Sequence, residues 1–479
     1  MTKRESLNGK PYAGNPHVRF NEGEVAVAAK PRRGSLLYKT KTILAAMIAA
    51  IMMTMTAAAD TYTADGIAWT FQPGSALSDG TTAATLGNGT SACIATSTAV
   101  DAANIPWTFT KDGIDYTVTQ IAAYAFYNCS KLSGTLTIPD AVTGLAGDYA
   151  FSGCSQLTRL ASLGGITEIG NRSFDKCSGL DDTECPDMSK VTAIDVYNRL
   201  RFGGEVWLVS LNKGRGIGDQ AFTGATITNA VLSRKAVNIN GNKIFTNCTR
   251  LESMFIPGPD SGSERTLVRR SEFVSGCTSL KVFLAGPLTG LSSSYGRTDV
   301  NMFSGVSGCH IFVPTGSNWD TETASDKGLA AYEADNTIFY YGAGRDLDMA
   351  FDHNAHLITA TPTTAHALTN ILNAASTFKN RFGYDTRINM TNAIEVAEGT
   401  ITDATIAGMA FESLIFNVKT QAQLDMVMDA TASVTTPLCI DPTGAKQQMT
   451  VPANRRVWVL LSGDGKYTPK INGLMITFH

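Results

Sequence analysis

A short phrase recurs along the middle of the chain at nearly constant spacing, and it constrains the fold more than any other feature. Its first three copies occupy residues 125–132, 150–157 and 173–180, each with Phe in the second position and Cys in the fifth. The aromatic anchor continues in steps of 25, 23, 23, 25, 23, 28 and 30 residues through Phe126, Phe151, Phe174, Tyr197, Phe222, Phe245, Phe273 and Phe303. Self-similarity at about 20 to 30 residues is typical of a solenoid, in which each unit buries its apolar face only by stacking on the next.

Each unit can be divided into a strand, a second short apolar pair and a compact turn. The apolar runs at 136–139, 254–257 and 311–314 each end in proline, which has no N–H for a strand ladder and therefore ends the strand. Short apolar pairs come next, as at 142–145 and 166–169. The Ala-Phe-x-x-Cys segment then predicts one helical turn that points Phe and Cys into the core.

The wording of these units, I-x-x-x-A-F-x-x-C-S-x-L followed by L-x-I-P, resembles the BspA-like family of leucine-rich repeat proteins over about residues 105–315. The match is specific in the first three units and at 245–257. Elsewhere Ala225 stands where Cys is expected and Tyr197 replaces Phe. The resemblance implies a surface or secreted protein of bacteria or protozoa that binds proteins or other macromolecules, and it brings no catalytic residue.

The N-terminal region predicts export. Five basic residues between Lys30 and Lys41 precede an apolar run at 43–53, and three alanines before Asp60 offer a cleavage site. We therefore expect a signal peptide at 35–59, cleaved near Ala59/Asp60, and a secreted or cell-surface protein without a membrane span after processing. Residues 1–34 are interpreted as a disordered extension or a mis-assigned start.

The rest of the chain divides around the repeats. We predict an α/β solenoid, with a short strand and a helical turn per unit, followed by a smaller α+β domain of a family that the sequence does not identify. Helical spacing at 364–382 and a short helix at 421–428 accompany strands at 413–418, 456–461 and 474–478. The predicted ranges are a cap at 60–104, the solenoid at 105–315, a connector at 316–337 and the C-terminal domain at 338–479.

Nine cysteines in an exported chain would ordinarily predict disulfides. The repeat argues otherwise, because Cys129, Cys154 and Cys177 hold equivalent positions with parallel Cα–Cβ bonds. Parallel side chains do not give the near-perpendicular torsion that a disulfide prefers. We therefore expect most of the nine to be buried free thiols that pack as small hydrophobic groups.

The sequence offers little for catalysis or for metal. A net charge of −3 gives no reason to expect a nucleic-acid partner. Asp346, Asp348, Asp352, His353 and His356 cluster within eleven residues, and a polar surface turn explains them better than a metal site, since no known ligand spacing is present. No cofactor is expected. Enzyme activity, if there is any, would have to lie in 338–479.

The candidate binding site is an apolar stripe found by aligning the strands. The residue between the last two apolar positions of each strand points away from the core. In the later units this residue is apolar, and five such residues stacked at strand spacing would form a stripe about 20 Å long. They are Trp207, Val231, Phe255, Leu284 and Phe312. Three interpretations remain open: a binding surface, internal covering by 258–270, 286–300 or the C-terminal domain, and a misaligned register.

These observations favour an exported repeat protein whose partner is a protein or another macromolecule. The alternative is a carbohydrate-binding or hydrolytic protein with its activity in 338–479 and the repeats as a spacer. An exposed aromatic platform or a cleft with paired carboxylates in that region would favour the alternative.

Overall fold

A computed structural model describes residues 58–479, apart from short gaps. The gaps fall at 146, 181–183, 196, 210, 212–215, 236–237, 240, 260–264, 269–270, 292–300, 317–318, 320–327, 403–405, 407–408, 446–448, 452–455, 461–466, 472–474 and 477–479. The expected extension at 1–34 and nearly all of the expected signal peptide at 35–59 lie outside the described residues. Among those residues, no helix has the length and apolar character needed to cross a bilayer.

A five-stranded sheet closes the N-terminal end of the repeats. The first six strands are β1 (Asp60–Ala64), β2 (Ile67–Ala76), β3 (Thr82–Leu86), β4 (Val100–Asp101), β5 (Thr108–Lys111) and β6 (Ile114–Ile121). The order in the sheet is β1-β2-β3-β6-β5, while β4 lies outside it and pairs with the first repeat strand. Trp69 is buried with its ring edge-on to Phe126 at 6.4 Å between centroids, so the sheet covers the first core aromatic. The capping sheet therefore extends to Ile121, beyond the expected boundary at 104.

The repeats stack through two kinds of parallel strand. Longer strands pair in the orders β4-β7-β8 and β11-β13-β15-β17-β19-β20, and shorter ones in the orders β9-β10-β12 and β14-β16-β18, with these bounds: β7 (Leu132–Thr137), β8 (Gln156–Ser162), β9 (Glu168–Ile169), β10 (Ala193–Ile194), β11 (Gly203–Trp207), β12 (Gly216–Ile217), β13 (Thr226–Val231), β14 (Asn238–Ile239), β15 (Ser253–Ile256), β16 (Thr266–Val268), β17 (Val282–Ala285), β18 (Thr289–Leu291), β19 (His310–Pro314) and β20 (Thr337–Tyr341). Short 3₁₀ helices occur at Ala102–Asn104, Ser178–Leu180 and Gly328–Tyr332.

The Ala-Phe-x-x-Cys segment is interrupted by left-handed residues four positions apart and is not the helical turn that the sequence predicts. Tyr124 and Asn128 both have positive φ, at 58° and 56°. The Phe126 N–H donates to Ala150 O of the next repeat at 2.6 Å, whereas the Cys129 N–H donates to Phe126 O at 3.0 Å. Alternate amides thus bond between repeats and within the turn. A continuous helical turn would direct its amides along the chain and leave the next repeat without donors.

The core contains the expected columns of Phe and Cys. The Phe126 and Phe151 rings stack at 4.8 Å, and Phe151 and Phe174 at 5.4 Å. Four core thiols donate to the Phe carbonyl of the preceding repeat, as Cys154 Sγ does to Phe126 O at 3.1 Å. The same contact is made by Cys177, Cys248 and Cys277, at 3.1, 3.1 and 3.0 Å. All nine cysteines are free.

Two of the expected aromatic anchors occupy other positions. Tyr197 has a φ of 58° and is only half-buried, so it is equivalent to Arg172, not to Phe174. In this shortened unit the core is filled by Leu200 and Phe202. The Asn198 side chain, fully buried, takes the place of missing backbone groups by donating to Gly170 O and accepting from the Phe174 N–H.

Phe273 is likewise displaced by one residue from the expected anchor position. Phe245 N donates to Phe273 O, as Phe126 N donates to Ala150 O, and this places Phe273 in the position of the Ala. Val274 therefore occupies the Phe position, with Cys277 three residues later. Both side chains are buried, so the hydrophobic pattern alone could not distinguish them.

The C-terminal part forms a second sheet with helices between its strands. Its elements are β21 (Leu347–Asp352), β22 (Leu357–Pro362), α1 (Ala365–Phe382), β23 (Asp385–Asn389), β24 (Ile394–Glu395), β25 (Ala410–Asn417), α2 (Gln421–Ala430), β26 (Leu438–Asp441), β27 (Met449–Thr450), β28 (Arg456–Leu460), β29 (Tyr467–Ile471) and β30 (Met475–Ile476). The sheet order is β21-β22-β23-β25-β26-β28-β29, and β24 pairs with β25.

Two features of this part differ from the sequence-based expectation. The strands from β22 to β28 in the sheet are parallel, so the arrangement is α/β and not α+β. In addition, β20 pairs with β19 of the repeats, so the second sheet begins at Leu347 and not at 338. Both helices match the predicted ranges because their ends are coded locally: Thr364 and Thr420 cap the N-termini, and Gly383 ends α1 at a φ of 77°.

Candidate binding surfaces

The five residues of the predicted apolar stripe lie in one row across the sheet. Trp207 pairs with Val231 and Val231 with Phe255. Phe255 pairs in turn with Leu284, and Leu284 with Phe312. Phe339 of β20 extends the row by one strand. The repeat alignment thus places the strands in their actual register.

Most of this stripe is covered from within the chain. Val231 is 3% exposed and Phe255, Leu284 and Phe312 are 0% exposed. Helix α1 lies over them, with Phe382 stacked on Phe255 at 5.1 Å and Phe378 edge-on to Phe312 at 5.6 Å. These four residues form one hydrophobic core with the C-terminal part, and they are not open to a partner as the binding interpretation requires. Trp207 remains half-buried at the end of the row.

Polar contacts fix the helix on the repeats. Arg381 pairs with Glu205 at 2.9 Å, and its backbone carbonyl accepts from Asn229 Nδ2 at 2.8 Å. The buried Tyr341 hydroxyl donates to Ala285 O at 2.7 Å, and burial raises the pKa of Tyr341 well above its usual value. The covering of the stripe is therefore built into the tertiary structure.

A different surface, on the turns of the first repeats, carries partly exposed aromatic rings. Tyr124 and Tyr149 stack at 5.3 Å with an angle of 6° between their planes. The Arg172 guanidinium lies 5.7 Å from the Tyr149 ring centroid and 4.7 Å from that of Tyr197. Tyr127, 37% exposed, packs edge-on against Tyr124 and Tyr149 at 5.5 and 5.7 Å. We call these five residues the tyrosine–arginine row.

The backbone holds the row in place. Tyr124, Tyr149, Arg172 and Tyr197 have φ values of 58°, 59°, 55° and 58°, a conformation that costs a non-glycine residue about 1 to 2 kcal/mol. Hydrogen bonds between repeats impose it, as when the Tyr124 N–H donates to Asp148 O at 2.9 Å and the Tyr149 N–H to Asn171 O at 2.8 Å. A surface whose conformation is fixed before binding loses less entropy on association.

The sequence contains a signal for this row that the apolar pattern does not reveal. Four of its members directly precede the small or polar position of the turn, which is held by Ala125, Ala150, Ser173 and Asn198. The repeat phrase is defined by its buried Phe and Cys. The preceding position points outward, varies from unit to unit, and therefore contributes nothing to a hydrophobic period.

The acidic and histidine cluster at 346–356 is used in local structure. Asp352 Oδ1 accepts from the amides of Asn354 and Ala355 in the turn between β21 and β22. His353 is buried with Nδ1 2.6 Å from the Tyr384 hydroxyl, and His356 Nδ1 is 3.2 Å from Gly383 O. In the part of the chain with described coordinates, no group of three such side chains is arranged to hold a metal ion.

The second sheet presents one exposed tryptophan. Trp458 of β28 is 38% exposed and pairs across the sheet with Cys439. Cys439 pairs in turn with Ile415, and both are half-buried. The three side chains therefore form a short apolar row on the face of the sheet opposite to its buried residues.

Comparison with known proteins bears on the repeats. The family described as BspA type leucine-rich repeat region matches residues 108–198 and 208–283 in six copies. A search of curated proteins gives no match. The crystal structure of a leucine-rich repeat protein from Bacteroides ovatus is similar at 15% identity, with 79% of this chain and 84% of that chain covered and a TM-score of 0.31. Residues 108–198 and 208–283 are therefore similar to the BspA type leucine-rich repeat region.

Proposed function

We propose that this protein is exported and binds a protein or another macromolecule at or outside the cell surface through the tyrosine–arginine row. Proteins of the BspA type are typically found at the surface or secreted, which supports export through the signal peptide expected at 35–59. We also infer that the repeats form one solenoid without catalytic residues. We expect no nucleic-acid partner and no membrane span after the signal peptide is removed.

One observation carries the proposal, namely a set of preorganised and partly exposed tyrosine rings around an arginine. Tyr and Arg are enriched among the residues that dominate binding energy at protein interfaces. Tyr supplies a large contact area with only two rotatable side-chain bonds, so its ordering costs little entropy. The predicted apolar stripe is a weaker candidate because four of its five residues are buried beneath α1.

The test compares partner capture by the full chain and by the variant Tyr124→Gln/Tyr149→Gln/Tyr197→Gln. Gln is tolerated at these positions, since Gln220 holds the equivalent place with a φ of 56°. We expect the variant to keep its unfolding midpoint and to lose the partners that the unchanged chain captures. Retention of every partner by a folded variant would refute the proposal.

A second candidate function is carbohydrate binding by the C-terminal part. The exposed Trp458 and its neighbours Ile415 and Cys439 offer an open aromatic face of the kind on which a sugar ring stacks. We expect oligosaccharides, if they bind, to change the tryptophan fluorescence of the chain but not of Trp458→Ser. The same variant is the matched control for the first test, because it should retain the protein partners.

A further inference from the structure

We infer that the partner of the tyrosine–arginine row is an extended, acidic polypeptide segment. The inference rests on the proposed function and concerns the chemistry of the ligand. It is carried by three features of the row: the charge around it, the faces of its rings that are already covered, and its length.

Positive charge is concentrated beside the row although the whole chain is slightly acidic. Five basic and three acidic side chains lie in the four turns that form the row, residues 123–131, 147–156, 171–180 and 195–201, whereas the whole chain has a net charge of −3. Lys176 and Arg199 are exposed and Arg172 is half-exposed. One of the three carboxylates, Asp175, is buried and lies 3.7 Å from Arg199. Arg172 and Lys176 add two positive charges on the exposed side of the same turn.

The packing of the rings determines which ligand atoms they can contact. Tyr124 and Tyr149 cover each other's faces, and Arg172 covers a face of Tyr149 and of Tyr197. A sugar ring needs an open aromatic face for stacking, and these contacts occupy one face each of Tyr124 and Tyr197 and both kinds of contact fall on Tyr149. The hydroxyls and ring edges remain, together with the N–H edge of the Arg172 guanidinium. Hydroxyl and guanidinium donors suit carboxylates, which Arg can bind through two parallel hydrogen bonds.

The geometry of the row fits an extended chain. Tyr124, Tyr149, Arg172 and Tyr197 belong to four successive repeats, so the row spans three steps of about 5 Å, or about 15 Å. An extended polypeptide covers that distance with four or five residues at about 3.3 Å each. Acidic side chains on such a segment would lie beside Arg172 and Lys176 while its apolar or neutral residues contact the tyrosine edges.

The test measures binding of labelled peptides to the full chain by fluorescence anisotropy. The probe is a peptide of about ten residues that alternates Glu and Ser, twice the length of the row, and the comparison peptides replace every Glu by Gln or by Lys. We expect the Glu peptide to bind at least about tenfold more tightly than the Gln peptide, as a desolvated Arg contact at an interface allows. Its affinity should fall as ionic strength rises from low values to about 0.15 M.

Charge variants locate the site. Arg172→Gln/Lys176→Asn should weaken binding of the Glu peptide about tenfold. Both replacements suit the backbone, because Gln220 occupies the position equivalent to Arg172, and Asn128 and Asn247 the position equivalent to Lys176, at similar positive φ. The control Lys281→Gln/Arg387→Gln removes the same charges from exposed positions elsewhere and should leave binding unchanged.

The outcomes separate the inference from the proposed function. If the Glu peptide fails to bind, or the Gln peptide or a sulfated oligosaccharide binds more tightly, the acidic polypeptide is the wrong partner. The row itself remains the binding surface in that case as long as the triple tyrosine variant still loses its captured partners. If that variant retains them, the proposed function fails as well.

Discussion

At the scale of single residues, nearby positions of one repeat have opposite roles. Phe151 is completely buried between Phe126 and Phe174, while Tyr149, two residues earlier, faces outward in a left-handed conformation. The Phe151 ring packs in the hydrophobic core. The Tyr149 ring lies on the surface, where its residue has a strained left-handed backbone. Substitutions at the two positions should therefore differ greatly in their effect on stability.

We predict that Phe151→Ala lowers the free energy of unfolding by about 3 to 5 kcal/mol, because the neighbouring rings cannot close the cavity. Tyr149→Gln should change it by less than about 1 kcal/mol, since Gln220 adopts the same conformation in the equivalent place. Denaturant unfolding of the full chain measures both values. A cost below about 1 kcal/mol for Phe151→Ala would show that the aromatic column is not a tightly packed core.

Buried thiols make stability depend on pH in the alkaline range. Burial raises the pKa of Cys129 to about 11 and of Cys177 to about 12, whereas an unfolded cysteine titrates near a pH of about 8.5. Between these values the unfolded chain loses protons that the folded chain keeps, so ionisation favours unfolding. The stabilisation by the neutral thiols is complete below pH of about 8.5 and is lost as pH rises toward 11 to 12.

We expect the free energy of unfolding to fall between pH of about 8 and 10, by about 1.4 kcal/mol per buried thiol and pH unit at most. Cys129→Ala/Cys177→Ala should reduce this slope, and urea titrations at several pH values measure it. An unchanged slope in the double variant would mean that other groups cause the pH dependence.

Thiol titration of the denatured, unreduced chain should find all nine cysteines free.

At the scale of elements, period and hydrophobicity determine how much the sequence predicts. The repeat length, the strand register, the buried Phe and Cys and both capped helices are all recoverable from such patterns. The conformation of the turn is not, because Phe and Cys three residues apart also suit one face of a helix. The turn differs from a helix in where its amides bond, and that depends on the neighbouring repeat.

The fourth unit also contains a structural residue that the hydrophobic pattern does not reveal. Asn198 carries no hydrophobic signal, yet its side chain bonds Gly170 O, Asp195 O and the Phe174 N–H. We expect Asn198→Ala to cost about 2 to 3 kcal/mol, since it leaves buried backbone groups without partners. Asn301→Ala, at an exposed position, is the control. Equal unfolding midpoints for the two variants would contradict this role.

At the scale of the whole molecule, the outer face of the later repeat strands shares one hydrophobic core with the C-terminal part, next to the separate core inside the repeats. The sequence predicts the apolar row and the helix at 364–382, and it leaves covering of the row by the C-terminal domain as one of three interpretations. It does not show that this helix covers the row, because the contact joins residues far apart in the chain. Phe255 touches Phe382 and Tyr384, and Phe312 touches Phe378. The tyrosine–arginine row is not predicted for a different reason: its positions point outward and therefore do not contribute to the hydrophobic period of the repeats.

Because helix α1 covers the apolar stripe, substitutions in the stripe should lower stability, whereas substitutions in an exposed stripe would not. Phe255→Ser should lower the free energy of unfolding by at least about 3 kcal/mol, because it removes a ring from the shared core and buries a hydroxyl. Trp207→Ser, at the half-buried end of the row, should cost less than half as much. Thermal and denaturant unfolding distinguish the two, and a Phe255→Ser chain as stable as the parent would mean that α1 is not firmly docked.

The left-handed position before each turn has a consequence for how such proteins change over time. Hydrogen bonds between neighbouring repeats set its conformation, and side chains of different size and charge occupy it. Tyr124, Arg172, Gln220, Lys243 and Glu272 all occupy it with φ between 49° and 58°. These residues can therefore be exchanged one at a time during evolution while the fold is kept. The same positions, about 5 Å apart, are sites at which new binding residues can be introduced by design.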